Sequence, residues 1–100
     1  MQISKEMKSL IRDVFPAVEA EPILTAVASL EEDDSPESNQ VIGAILILLK
    51  EGGPARLDAI VGVAARDWRD LLMGAGLADD DWAFRLRTAI ESWGGNPDFI

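Results

Sequence analysis

The sequence predicts an all-α fold: a compact orthogonal bundle of five or six short helices around a central apolar helix at about residues 36–50. Three observations carry this. Apolar residues recur at helical spacing along almost the whole chain, and no stretch alternates with period two for long. Gly and Pro punctuate the pattern at intervals that suit short helices with brief connections. One segment, "QVIGAILILLK" from Gln40 to Lys50, is apolar on every side, and a helix without a polar face belongs inside its domain.

Taken in order, Ile3, Met7, Leu10, Ile11 and Val14 form one stripe of a first helix. Phe15-Pro16 ends it, because the residue before a proline avoids helical angles. Pro22 suits the first turn of a second helix, where its missing N–H costs nothing, and Ile23, Val27 and Leu30 supply the buried face. In "EEDDSPES", Ser35 reads as an N-cap, Pro36 as the first helical position and Glu37 as a first-turn acid. The preceding Glu31, Glu32, Asp33 and Asp34 lie ahead of the positive end of that helix dipole, in a solvated loop. Contact with a cation or a basic partner is the alternative reading of those four acids. Lys50 near the end of the central helix and Gly52 just past it fit a helix stop.

Gly53-Pro54 opens the next segment, in which Leu57, Ile60, Val61, Ala64, Trp68, Leu71 and Leu72 keep helical phase. Residues 54–73 therefore fit one long helix, or two with a break near Asp67, where Asp70 stands in place of the usual Glu of a capping box. We favour the break. Gly74 and Gly76 end the segment. Asp79, Asp80 and Asp81 load the start of a last helix with the seam Trp82, Leu86, Ala89 and Trp93, stopped by Gly94-Gly95. This makes residues 1–95 a single helical domain and 96–100 a loose tail, from which Phe99 is the side chain able to dock. Wrapping of the central helix on all sides is expected to leave no reactive cavity.

A length of 100 residues gives one domain, and 48% hydrophobic with 27% charged residues is a globular composition. The formal charge of −9 argues against a nucleic-acid partner, since phosphate neutralisation needs clustered Lys and Arg. Lys5, Glu6 and Lys8 put both signs of charge where a signal peptide needs a basic start, and the run from Val41 to Leu49 is too short to span a bilayer. A soluble, cytoplasmic protein with no membrane partner is expected. Cys, His and Tyr are all absent, which removes thiolate chemistry, disulfides and the side chain that titrates near neutral pH.

Those absences leave little for catalysis. The Ser and Thr residues lack a His base, and the carboxylate pairs Asp67/Asp70 and Asp79/Asp81 are explained by helix starts. The run Glu31–Asp34 lacks the Gly turn and ligand positions of a calcium loop. Neither "EGGPAR" nor "MGAGLADD" matches a phosphate-binding fingerprint. We expect no enzyme activity, no metal and no cofactor.

The Asp-Trp pairs recur: Asp67-Trp68 precedes Leu72 and Ala75, and Asp81-Trp82 precedes Leu86 and Ala89. Trp and Leu four apart share a helix face, and the acid serves the helix start, so both copies read as core anchors. Trp and Arg are also the side chains enriched where proteins meet, and this makes Trp68, Arg69, Trp82 and Arg85 the candidate partner-binding residues. Glu31, Glu32, Asp33 and Asp34 join them on the basic-partner reading. Lys5, Lys8 and Arg12 line one side of the first helix, either as a solvated face or as a strip that docks the acidic loop of a second copy in a weak homodimer.

From Ser35 onward, "SPES..VIGAILILLKEGG" followed by "LDAIVGVAARDWRDLLMGAG" resembles a group of short, uncharacterised bacterial helical proteins. In these, an aliphatic helix ends at Gly and a second amphipathic helix closes with an Arg-Asp-Tyr/Trp-Arg-Asp segment; Trp68 stands where Tyr is frequent. The resemblance implies a helical fold and a bacterial cytosolic setting, and it brings no catalytic or binding residue with it. The function expected from the residues is a non-enzymatic, small acidic protein–protein interaction module, its partner another protein. The alternative is an acidic inhibitor or immunity-type protein that neutralises a basic nuclease or toxin. A minor enzyme or a ligand-binding domain requires that the helices enclose a pocket.

Overall fold

The first helix, α1 (Lys5–Val14), begins where the Ser4 hydroxyl accepts a hydrogen bond from the Met7 N–H at 3.1 Å. It buries Met7, Leu10, Ile11 and Val14, and ends as expected at Phe15, whose backbone is extended ahead of Pro16. The computed structural model describes residues 3–30 and 38–100, with the side chain of Pro54 excepted. The Ser35 cap, Pro36 and the acids Glu31–Asp34 lie outside the described residues.

Helix α2 (Ala17–Ala28) starts five residues earlier than the expectation built on Pro22. Pro16 takes the N-cap position, and its carbonyl accepts from the N–H groups of Glu19 and Ala20 at 2.9 and 2.8 Å. Pro22 therefore sits inside the helix, where it removes the N–H that would have bonded the carbonyl of Val18. Burial of Ala20, Ile23, Leu24 and Val27 outweighs that local loss. Packing overrides propensity here.

Helix α3 (Ser38–Gly52) is the central element. It buries Val41, Ile42, Gly43, Ala44, Ile45, Leu46 and Leu49, while Ile47 and Leu48 are half-buried. It runs two residues beyond the expected end. Gly52 is its last residue, and Gly53, at φ +86°, adopts the left-handed backbone that stops it.

A 3-10 turn (Pro54–Arg56) leads into α4 (Leu57–Arg66), and α5 (Trp68–Ala75) follows after a single residue. Residues 54–73 are thus two helices, and the break is at Asp67. Its backbone (φ −152°, ψ 86°) is non-helical, its N–H closes α4 on the Val63 carbonyl at 2.7 Å, and its carboxylate accepts from the Asp70 N–H at 3.3 Å. Helix α5 ends at Gly76 (φ +78°), where the Leu77 N–H reaches back to the Leu72 carbonyl at 2.9 Å and the Leu77 side chain is fully enclosed. The last helix, α6 (Trp82–Ser92), buries Leu86 and Ile90.

Among the described residues the outcome is an all-α bundle of six helices, 28 × 27 × 24 Å, with α3 packed against α4, α5 and α6, and α2 bridging α1 and α4. The C-terminal end returns to the core. The Gly95 N–H bonds the Ile90 carbonyl at 3.0 Å, Pro97 is buried, and Phe99 and Ile100 pack on the core. Among the described residues, no helix is long and apolar enough to cross a membrane.

One contact ties three parts of this arrangement together. The Lys50 ammonium at the end of α3 donates to the carbonyl of Val14 at the end of α1. It stands 4.4 Å from the centre of the Phe15 ring and 5.8 Å from that of Trp93. A cation at the negative end of α1, flanked by two aromatic faces, joins the N-terminal helix, the central helix and the C-terminal region.

Candidate functional site

The central helix is not closed on every side, contrary to the expectation of a bundle without a cavity. A groove of about 330 Å³ opens between α3, α4 and α5. The last turn of α3 contributes Leu48, Glu51 and Gly52, and the 3-10 turn adds Arg56. Helix α4 lines it with Ala59, Ile60 and Val63, and α5 with Asp70, Leu71 and Gly74.

The break at Asp67 creates this site. A continuous helix would carry Asp70, Leu71 and Gly74 onward along the α4 axis; the non-helical Asp67 turns α5 back against α3 and α4. Small residues then keep the groove open. A Cβ at Gly74 would meet nothing within 4 Å. At Gly52 the side chain of Arg56 lies so close that a Cβ would stand 2.6 Å from its Cδ, so Arg56 folds flat over the end of α3.

The floor is apolar: Ile60 and Leu71 are buried, and Leu48 and Val63 are half-buried. The rim is charged. Glu51, Arg56 and Asp70 are all exposed, and among the described residues none of them has an ion-pair partner within 4 Å. An apolar floor with uncompensated charge of both signs at its edge can hold an apolar side chain and orient it by the polar groups beside it. Among the described residues, no group of three or more acids is placed to hold a metal ion.

Of the predicted partner residues, Trp68, Arg69, Trp82 and Arg85 do not line the groove. Trp68, Trp82 and Trp93 are each half-buried against the core, with Leu72 and Leu86, the partners of the first two on their helix faces, buried. The Arg69 guanidinium lies 5.2 Å from the centre of the Trp68 ring. Arg85 bonds to Asp81 at 2.9 Å, one turn back on α6. That hydrogen bond, and then the charge of Asp81, raise the Arg85 guanidinium above its ordinary pKa. Asp81 consequently spends its carboxylate on Arg85 and makes no side-chain cap to α6, unlike Asp67. The two Asp-Trp copies share a packing role but not a capping role. Arg12 pairs with Glu21 of α2 at 3.4 Å, leaving Lys5 and Lys8 as the cations of the α1 strip without an ion-pair partner among the described residues.

Sequence reasoning read Asp70 as a capping-box stand-in and as half of the Asp67/Asp70 carboxylate pair, met Glu51 and Arg56 only as the ends of "EGGPAR", and passed over Phe84. Phe84 had a readable signal: it falls out of phase with the Trp82–Leu86–Ala89 seam, and it is 72% exposed. The groove had none, because it arises from three segments brought together by the Asp67 turn. No protein-family model matches the chain, and neither a curated protein nor a solved structure does. The roles assigned to the groove therefore rest on its own chemistry.

Proposed function

We propose that the protein is a non-enzymatic protein–protein interaction module whose contact face is the α3–α4–α5 groove, working in the cytoplasm. The observation that supports this reading is the pairing of an apolar floor (Leu48, Ile60, Val63, Leu71) with a rim of charges that lack partners within the described chain. A partner presenting a large apolar side chain beside a cation would bury the first on the floor and set the second against Glu51 and Asp70. Buried apolar anchors supply most of the affinity in such contacts, and the rim charges supply register and encounter rate. The groove holds carboxylates and a guanidinium as its polar groups, and both carboxylates sit at its exposed rim, outside the desolvating environment that general acid–base catalysis exploits.

The test is a photo-cross-linking residue at Ala59, an exposed position on the groove wall, compared with one at Thr25 on α2. Cross-links to another protein in the native cell should form from Ala59, fail from Thr25, and disappear when Val63→Glu places a charge on the groove floor. Equal labelling from both positions would refute the assignment of the groove as the contact face.

A further inference from the structure

We infer that a second copy of this chain enters the groove, inserting Phe84 onto the apolar floor while Arg87 meets the carboxylates of Glu51 and Asp70. This rests on the reading of the groove as a contact face. The chain itself carries the complementary shape and charge. Phe84 projects from α6 at 72% exposure, although Leu86 and Ile90 of the same helix are wholly enclosed. Arg87 follows three residues later, on the same helix face, and is exposed. Of the two arginines beside Phe84, Arg85 is engaged by Asp81, whereas Arg87 has no ion-pair partner within 4 Å among the described residues. Across the contact, Glu51 and Asp70 are equally unpaired.

Size agrees as well. A cavity of roughly 150 Å³ suffices to take up benzene, so about 330 Å³ accommodates the ring of Phe84 with room for its helix to approach. Gly74, with open space where a Cβ would stand, leaves the α5 side of the groove free of side-chain bulk. Opposing this contact is the formal charge of −9 on each copy, which makes the self-pairing weak and its detection best at moderate salt, where long-range repulsion is screened.

Sedimentation equilibrium of the full chain over a concentration series should show reversible association. Phe84→Ser, at an exposed position, should weaken it by about tenfold or more. Arg87→Asp and Asp70→Arg should each weaken it likewise, and the double exchange of the two charges should restore it, which a folding defect would not do. Cross-links from Ala59 within the associated species should land on residues 82–92. A monomer at every concentration, an association indifferent to Phe84→Ser, or a double exchange that restores nothing would each overturn the inference. If the chain is monomeric yet Ala59 still cross-links to a different protein, self-pairing fails and the groove reading stands. If Ala59 labels nothing beyond background, both fail.

Discussion

Replacing Gly43 by alanine sets a methyl group against Leu86, at the closest approach of α3 and α6. A Cβ built at Gly43 would stand 2.5 and 2.7 Å from the two Leu86 methyl carbons and 3.1 Å from Cγ. Carbon atoms at rest sit about 3.5–4.0 Å apart, so the overlap is on the order of 1 Å. Leu86 is wholly enclosed and cannot swing into solvent to relieve it. Overpacking of this kind costs about 1–3 kcal/mol, offset by about 1 kcal/mol from the better helix propensity of alanine. Gly43→Ala should therefore destabilise by about 0–2 kcal/mol. Leu86→Ala alone should cost about 2–5 kcal/mol through the cavity it leaves. In the double variant the methyl group introduced by Gly43→Ala moves into that cavity without a clash, and the propensity gain is realised in full. The double variant should then be destabilised by about 1–3 kcal/mol less than the sum of the single effects, the coupling expected of residues in contact. Urea unfolding followed by circular dichroism measures it, with the slope of free energy against denaturant unchanged across the set. Additivity within about 0.5 kcal/mol would refute the proposed contact between Gly43 and Leu86.

Three further outcomes are expected. Lys50→Met should lower stability by about 1–2 kcal/mol through loss of the ammonium that caps the α1 carbonyl of Val14 between Phe15 and Trp93, whereas Lys50→Arg should recover part of it; thermal melts of the two variants decide this. Pro22→Ala should raise the melting temperature, because an N–H returned inside α2 restores a helical hydrogen bond; a gain of about 1 kcal/mol corresponds to roughly 4–8 °C in a domain of this size, and no gain would mean that the greater freedom of the unfolded chain offsets the restored bond. Trp68→Ala and Trp82→Ala should each cost about 2–3 kcal/mol in urea titrations, below the roughly 3–5 kcal/mol of a fully enclosed aromatic, since both rings are only half-buried.

The misplaced α2 start shows where local signals stop being decisive. Pro16 and Pro22 both suit a helix start on chain chemistry alone, and the choice between them rests on which register buries Ala20, Ile23, Leu24 and Val27. Asp67 is the converse. Its side chain reaches Asp70 three residues on, a local interaction, and the break it makes was open to inspection in the residues. The Asp79–Asp81 run looked equivalent, yet Asp81 turned to Arg85 and left α6 without a side-chain cap, a competition between two partners within one turn.

What the amino-acid order determined without any tertiary information was the class of fold, the central position of the aliphatic helix, and nearly every helix end. These follow from interactions between residues at most five apart: the 3.6-residue period, caps, and glycines such as Gly76 at positive φ. Only the packed structure decided where Lys50 reaches, that α6 presses on Gly43, and that Glu51, Arg56 and Asp70 surround one groove. Each of these joins segments that are distant in the chain or depends on the angle at which neighbouring helices dock. That angle is set by the fit of side chains across an interface, and the periodicity of any one helix does not contain it.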